Sequence, residues 1–101
     1  MVRGTTPTFK LTLDDTTVDL TEAANVYVSF NQPKYSIVKT GEDLDISEHE
    51  VDVRLSQVET LGFSTGTINV QVNWVYSDGS RACTDIVSID VSSNLIGGVL
   101  S

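Results

Sequence analysis

The chain has a single cysteine, Cys83, and a single histidine, His49, a pair of residue types that serves in nucleophilic catalysis. No motif brings the two side chains together, and no third group is placed to orient the imidazole. We therefore predict that neither residue is catalytic. We expect Cys83 to be a small buried side chain within a strand, and His49 to be a solvated surface residue among acidic neighbours.

Six carboxylates within eleven residues are the second candidate for chemistry. The chain has 14 acidic residues, and these six are Glu42, Asp43, Asp45, Glu48, Glu50 and Asp52. Calcium binds about six to eight hard oxygens, so these side chains are suitable ligands. The Asp-x-Asp-x-Asp-Gly loop is missing, however, and Ile46 and Val51 interrupt the stretch with the periodicity of a strand. The pattern favours a solvated edge strand, whose like charges discourage further pairing, over a divalent-cation site.

The remaining candidates are aromatic residues and one acid that breaks a strand pattern. Partly exposed Tyr27 and Tyr35 offer an option for stacking a sugar, whereas the alternation around Trp74 predicts a buried ring. Asp85 falls on the apolar side of its predicted strand beside Cys83, which favours a β-bulge over the alternative of a buried carboxylate. The sequence thus supplies no catalytic, cofactor-binding or metal-binding residue. We predict a protein that is not an enzyme and uses no cofactor.

Length and charge limit the classes of protein that the chain fits. Its 101 residues suffice for one domain, and 14 acidic against 6 basic residues give a formal net charge of −8. Proteins that bind nucleic acid or anionic membranes need clustered Lys and Arg, so neither is an expected partner. One cysteine cannot close an internal disulfide. No apolar run approaches the roughly 20 residues of a membrane span, and residues 1–7 do not read as a signal peptide.

Residues that favour strands dominate the chain. Val, Ile and Thr number 32 against three Ala, and side chains branched at Cβ suit a pleated sheet better than a helix. Alternation of apolar and polar residues predicts strands at residues 9–13, 26–30, 35–40, 44–46, 51–55, 68–76 and 81–92. Asp78-Gly79 predicts a hairpin turn between the last two strands. Ser56 and Glu59 form a capping box that begins a short helical connector, and a further turn is predicted at residues 21–24.

These elements predict an all-β fold, a single immunoglobulin-like antiparallel β-sandwich of about seven strands with one short helical connector. The two-cysteine bridge of antibody domains is missing, and the only Trp lies in the penultimate strand. One domain spans residues 1–101, with an N-terminal arm at residues 1–7 and an apolar C-terminal tail at residues 94–101. The four aliphatic side chains of that tail would be unusual in water, so we expect them to pack on a partner or on the domain's own flank. Two such arms suit a subunit of an assembly.

Three segments of the sequence resemble small proteins encoded in the prophage tail gene clusters of Gram-positive bacteria. They are RGTTPTF at residues 3–9 with the alternating Leu11 and Leu13 behind it, VRLSQVET at residues 53–60, and SRACTDI at residues 80–86 after the Asp78-Gly79 turn. The resemblance extends over nearly the whole chain. The chain is also similar, more distantly, to the N-terminal immunoglobulin-like domain of phage baseplate upper proteins.

The resemblance implies a non-enzymatic structural or adaptor component of a phage or prophage tail or baseplate, which acts in the virion through protein–protein contacts. Its partners would be other tail or baseplate proteins, with self-association into a homo-oligomer as a further option. The implied location is the virion tail, or the host cytoplasm during assembly. The alternative is a stand-alone immunoglobulin-like binding module that recognises a carbohydrate or a peptide through the loops at one end of the sandwich.

Overall fold

A computed structural model describes residues 1–15 and 17–100, which form two antiparallel sheets packed face to face and one short helix. The strands are β1 (Thr8–Thr12), β2 (Asn25–Gln32), β3 (Tyr35–Thr40), β4 (Leu44–Ile46), β5 (Glu50–Arg54), β6 (Gly66–Val75), β7 (Arg81–Cys83) and β8 (Val87–Val91). Helix α1 (Gln57–Gly62) joins β5 to β6, and short 3₁₀ turns lie at Leu20–Glu22 and Gly41–Asp43. The predicted all-β sandwich with a helical connector is confirmed.

The strand order gives the sandwich an immunoglobulin-type layout. One sheet has the order β1-β5-β4, and the other has the order β3-β2-β6, with β7 and β8 both on the far side of β6. The chain changes sheet between β1 and β2, between β3 and β4, and between β5 and β6. This is the order of an immunoglobulin sandwich without the first strand of its four-stranded sheet. As a result β1 lies at a sheet edge, and no described strand pairs with its free side.

The predicted strands match the observed ones to within two residues at each end, apart from the last. The hairpin after β6 turns at Asp78-Gly79 as predicted: Tyr76 N donates to Ser80 O at 2.9 Å, and Gly79 takes the positive φ of 88° that glycine adopts easily. The single strand predicted at residues 81–92 is wrong, because a bulge divides it into β7 and β8.

Helix α1 begins with the predicted capping box, which satisfies backbone groups that a helix start leaves unpaired. Ser56 N donates to Glu59 Oε1 at 2.8 Å, and Glu59 N donates to Ser56 Oγ at 3.2 Å. The Glu59 carboxylate also lies 2.7 Å from Lys39 Nζ, which ties the helix to β3. The helix therefore has a fixed start and a fixed position over the sheets, although it is only six residues long.

One apolar core fills the space between the sheets. Its buried members are Leu13, Leu20, Val26, Val28, Phe30, Leu44, Val51, Val53, Leu55, Phe63, Ile68, Val70, Val72, Trp74 and Val91. The strand residues among them occupy alternate positions, as expected for sheets with one face in water. Buried Gln32 is satisfied by backbone, since it accepts from Ser64 N at 2.9 Å and donates to Ser64 O at 2.8 Å. No described helix is long and apolar enough to cross a membrane.

The N-terminal arm predicted at residues 1–7 lies against its own domain. Arg3 N donates to Ser92 O at 3.0 Å, just beyond β8. Gly4 N donates to the hydroxyl of fully buried Thr60 at 2.9 Å. The segment is therefore an extra piece of sheet edge rather than a projecting arm, because its backbone groups find partners within the domain.

The C-terminal tail, predicted at residues 94–101, turns back to α1. Residue 101 lies outside the described residues. Gln57 holds the end of the tail by two hydrogen bonds, donating to Leu100 O at 2.9 Å and accepting from Leu100 N at 2.8 Å. The aliphatic residues left exposed in the tail are Leu95, Ile96, Val99 and Leu100. The tail thus reaches the domain's own flank through polar contacts and leaves its apolar side chains in solvent.

Candidate functional site

Cys83 is exposed, which corrects its prediction as a buried side chain. It ends the three-residue edge strand β7 and pairs with Asn73 of β6. Its neighbour Ala82 packs against the core, so the alternation of the strand turns Cys83 outwards. The prediction relied on the usual burial of a lone cysteine in a strand, and the alternation set by Ala82 overrides that preference here.

His49 lies in the turn before β5 and is half-buried, whereas a solvated position was predicted. Its Nδ1 lies 2.7 Å from Val18 O, and its Nε2 lies 3.9 Å from a Glu48 carboxylate oxygen. Its backbone O accepts from Leu13 N at 2.7 Å. His49 therefore fastens the connection between β1 and β2 to the small sheet. Cys83 belongs to the other sheet, and no described hydrogen bond joins the two residues.

The acidic stretch is distributed over a turn, strand β4 and strand β5. β4 has three residues and lies at the edge of its sheet, which confirms the predicted edge strand. Asp45 faces Asp52 across the two strands, and Lys10 of β1 pairs with Asp52 from the other side. Among the described residues, no three His, Cys, Asp or Glu side chains converge into a group that could hold a metal ion. The carboxylates are therefore divided between turns, the edge strand β4 and the central strand β5, and Lys10 lies 3.7 Å from one of them, Glu50.

The aromatic residues do not form a sugar-stacking platform. Trp74 is buried as predicted, and its Nε1 donates to the Tyr76 hydroxyl at 3.0 Å. Tyr27 alternates with buried residues of β2 and so lies on the outer face of the large sheet. Tyr35 packs edge-on against the buried Phe63 ring, with 4.8 Å between ring centroids. Because the two tyrosines lie on opposite faces, one ligand cannot stack on both.

A β-bulge accounts for the irregular position predicted at Asp85. The pairs that flank it are Cys83–Asn73 and Val87–Val70. Three residues, 84–86, therefore lie opposite two, 71 and 72. Thr84 fills the gap by donating its N–H to Val72 O at 2.9 Å and accepting from Val72 N at its hydroxyl, at 3.1 Å. Asp85 is exposed, so the favoured bulge is confirmed and the buried carboxylate is excluded.

An open slot of about 600 Å³ lies between the two sheets where β1 faces β7 and the bulge. We name it the edge slot. Its floor consists of core side chains: Leu11, Leu13, Val70, Val72, Trp74 and Ala82. Its charged lining residues are Lys10, Asp14, Asp15 and Asp85. The slot depends on which two sheet edges face each other, a property that no local pattern in the sequence records.

The carboxylate of Asp15 is fixed at one end of the edge slot. The Thr17 hydroxyl and the Thr17 backbone N–H both donate to Asp15 Oδ1, at 2.6 and 2.9 Å. These hydrogen bonds hold the pKa of Asp15 below its ordinary value, and the bond from the Thr17 hydroxyl contributes most. The Asp15 carboxylate is therefore ionised across the neutral range.

β1 presents unpaired backbone groups to the edge slot. Two hydrogen bonds frame the strand, from Leu13 N to His49 O and from Leu55 N to Pro7 O. They show that the odd-numbered residues direct their backbone groups towards β5. In an antiparallel ladder the intervening residues point their N–H and C=O groups away from the partner strand. Those residues are Thr8, Lys10 and Thr12.

The facing edge, formed by β7, the bulge and β8, is only partly covered. The N-terminal segment pairs with its far end, where Ser92 N donates to Met1 O at 2.8 Å. Upstream of that contact, Ile86 and Val87 are 62% and 55% exposed. The end of this edge that the N-terminal segment covers is a regular strand, whereas the uncovered part contains the bulge. A bulge disrupts the ladder of hydrogen bonds that a further strand would need.

A second exposed feature surrounds α1 and the tail, and we name it the apolar flank. It consists of Val2, Val58, Leu95, Ile96, Val99 and Leu100, six of the nine large apolar residues that are exposed in the described chain. Val58 and Val99 line one shallow depression with Gln57. Asn94 Nδ2 donates to Arg3 O at 3.1 Å, which places the start of the tail beside the N-terminal segment.

Comparison of the chain with protein-family models, with curated proteins and with solved structures finds no match. The functional interpretation therefore depends on the sequence, the edge slot and the apolar flank.

Proposed function

We propose that the chain is a non-enzymatic structural or adaptor component of a phage or prophage tail or baseplate, and that it acts through protein–protein contacts. The observation that carries the proposal is the apolar flank, six aliphatic side chains of α1 and the two terminal segments that remain exposed to solvent. Exposed apolar side chains in this number mark an interaction site on an otherwise polar domain. The phage context comes from the sequence resemblance over residues 3–9, 53–60 and 80–86.

The aliphatic side chains of the C-terminal tail are accessible to a partner. Leu95 is 105% exposed, and the other three aliphatic residues of the tail are between 55% and 59% exposed. Fully burying one such side chain is worth about 1.5–3 kcal/mol, so covering the tail would supply a substantial part of an association free energy. The two hydrogen bonds between Gln57 and Leu100 hold the tail in place, which lowers the ordering entropy that a partner must offset.

The charge of the chain favours selective partners. A net charge of −8 on 101 residues repels other acidic surfaces at long range, whereas it attracts basic ones. The partners that we assign are therefore other tail or baseplate proteins, with copies of the same chain as a second option where the apolar flank is buried against itself. The place of action is the virion tail, or the host cytoplasm while tails assemble.

Native mass spectrometry tests this proposal. The full chain is measured alone and then mixed with phage tail and baseplate proteins, and we expect a complex of defined mass with one of them. The double variant Leu95→Ser/Ile96→Ser should weaken that complex at least about tenfold, because two exposed anchors are lost. Val38→Ser is the matched control, since Val38 is a 57% exposed valine on β3, outside the apolar flank. A strict monomer that binds none of these proteins would overturn the proposal.

A further inference from the structure

We propose that the edge slot binds an extended segment of a partner protein, which adds a strand to β1, inserts alternate apolar side chains between the sheets and carries Lys or Arg towards the acidic lining. This inference rests on the proposed function and assigns one of its contacts. It concerns a surface separate from the apolar flank, so the two can be tested independently.

The backbone of β1 is suited to receive a strand. Thr8, Lys10 and Thr12 direct their N–H and C=O groups away from β5, and the strand order leaves that side of β1 without a partner among the described residues. An unpaired edge of this kind is a template for an added strand. The facing edge is the poorer template, because the bulge at residues 84–86 interrupts it. The hydrogen bonds of the added strand therefore form with β1.

The interior of the edge slot is suited to apolar side chains. Its floor reaches the core at Trp74, Val70 and Val72, which are only 2–4% exposed, so the opening ends on apolar side chains. Five residues of strand extend about 17 Å, and every second side chain points to the same face. A segment alongside β1 would therefore place two or three apolar side chains in the slot and leave the intervening ones in water.

The charges around the slot identify the flanking residues of the partner. Asp14, Asp15 and Asp85 contribute three negative charges to the lining. The basic residue there, Lys10, lies 3.7 Å from Glu50 Oε2, which partly neutralises it. This favours a segment with Lys or Arg beside its apolar residues. It disfavours a second copy of the chain, whose net charge is −8 and whose residues 94–101 contain no basic side chain.

The probe for this inference is a synthetic peptide of alternating Val and Thr with Lys at both ends. Binding is followed by the anisotropy of a fluorophore on the peptide and by the emission of Trp74, the only tryptophan in the chain and part of the slot floor. We expect saturable binding and a shift in tryptophan emission. A peptide of the same composition in which all Val residues are adjacent, and an alternating peptide with Glu at both ends, should bind at least about tenfold more weakly.

Two matched pairs of variants locate the contact on the protein. Thr12→Pro removes an amide that faces the slot and leaves the β5 side intact, so affinity should fall at least about tenfold. Its control, Thr12→Val, keeps the amide and should retain binding.

The second pair tests the charge of the lining. Asp14→Asn/Asp85→Asn should weaken binding about three- to tenfold, whereas Asp43→Asn/Asp45→Asn makes the same change of charge outside the slot and should not weaken it. Unchanged thermal melting is the check that each variant is folded.

Three results would overturn the inference: equal binding by the non-alternating peptide, unchanged affinity in a folded Thr12→Pro variant, or tighter binding by a peptide of residues 94–100. The last result would make the slot a contact between copies of the chain. If the probe peptide does not bind the edge slot but complexes that depend on Leu95 and Ile96 still form, only this inference is rejected. If no complex forms with any tail protein, the proposed function falls, and binding of the probe peptide still decides the chemistry of the slot.

Discussion

The two terminal segments of the chain differ in how they contact their own domain. The N-terminal segment, with Arg, Gly, Thr and Pro at residues 3–7, docks on its own domain through backbone hydrogen bonds and one buried hydroxyl, that of Thr60. The C-terminal tail is far more apolar, yet its aliphatic side chains stay in solvent, and polar contacts hold it at Asn94 and at the backbone of Leu100.

The difference shows that hydropathy does not decide which terminal segment docks. What decides it is the availability of partners for backbone groups, because unpaired N–H and C=O groups are costly to bury and easily satisfied at a sheet edge. The edge of β8 offers such partners to residues 1–3, whereas the tail lies beyond the last strand. Apolar residues that no edge recruits stay exposed, and under the proposed function a partner protein covers them.

Deleting residues 1–5 should have the largest effect on stability. It removes the contacts of Arg3 with Ser92 and of Gly4 and Thr5 with Thr60, and it uncovers the end of β8. We expect a loss of about 3 kcal/mol from the free energy of unfolding, measured by urea titration. Deleting residues 96–101 is the comparison and should cost far less. Equal losses from the two deletions would remove the distinction between the ends.

Thr60→Val should produce most of that loss with a single hydroxyl. Thr60 Oγ1 accepts from Gly4 N and donates to Thr5 O, each at 2.9 Å, and the side chain is fully buried. Valine has the same shape but leaves both backbone groups without a partner, so we expect a loss of about 1–3 kcal/mol by urea titration. Thr60→Ser keeps the hydroxyl and should cost less. If Val and Ser cost the same, the methyl group and not the hydrogen bonds anchors the N-terminal segment.

Local patterns in the sequence predict the strands and the helix cap, because each depends on neighbours along the chain. The alternation at residues 68–76 finds β6 to within two residues, and Ser56 with Glu59 finds the start of α1. Cys83 was predicted to be buried because lone cysteines in strands usually are, but in β7 the inward position belongs to Ala82 and Cys83 faces outwards. The edge slot and the docking of residues 1–7 depend on contacts between distant segments, and no spacing in the sequence encodes those.

Acid should weaken the helix that both ends contact. Partial burial raises the pKa of Glu59, but the Lys39 hydrogen bond, the Ser56 backbone and the Lys39 charge together lower it below its ordinary value. Because the pKa of the folded state is below that of the unfolded state, the ionised carboxylate stabilises the fold at neutral pH, and this stabilisation is lost as pH falls from about 5 to 3. In urea titrations, the difference in unfolding free energy between the natural chain and Glu59→Gln should shrink over that range. A difference that does not vary with pH would contradict the assignment.

The smallest effect on stability should come from Leu95→Ser. The side chain is 105% exposed, so its replacement removes nothing from the folded domain, and the free energy of unfolding should change by less than about 0.5 kcal/mol. The same substitution contributes to the loss of binding expected of the apolar flank. Unchanged stability with weakened association would show that the tail serves a partner. A loss of more than about 1 kcal/mol on urea titration would show instead that the tail packs on its own domain, and the contrast between the two ends would then be one of degree.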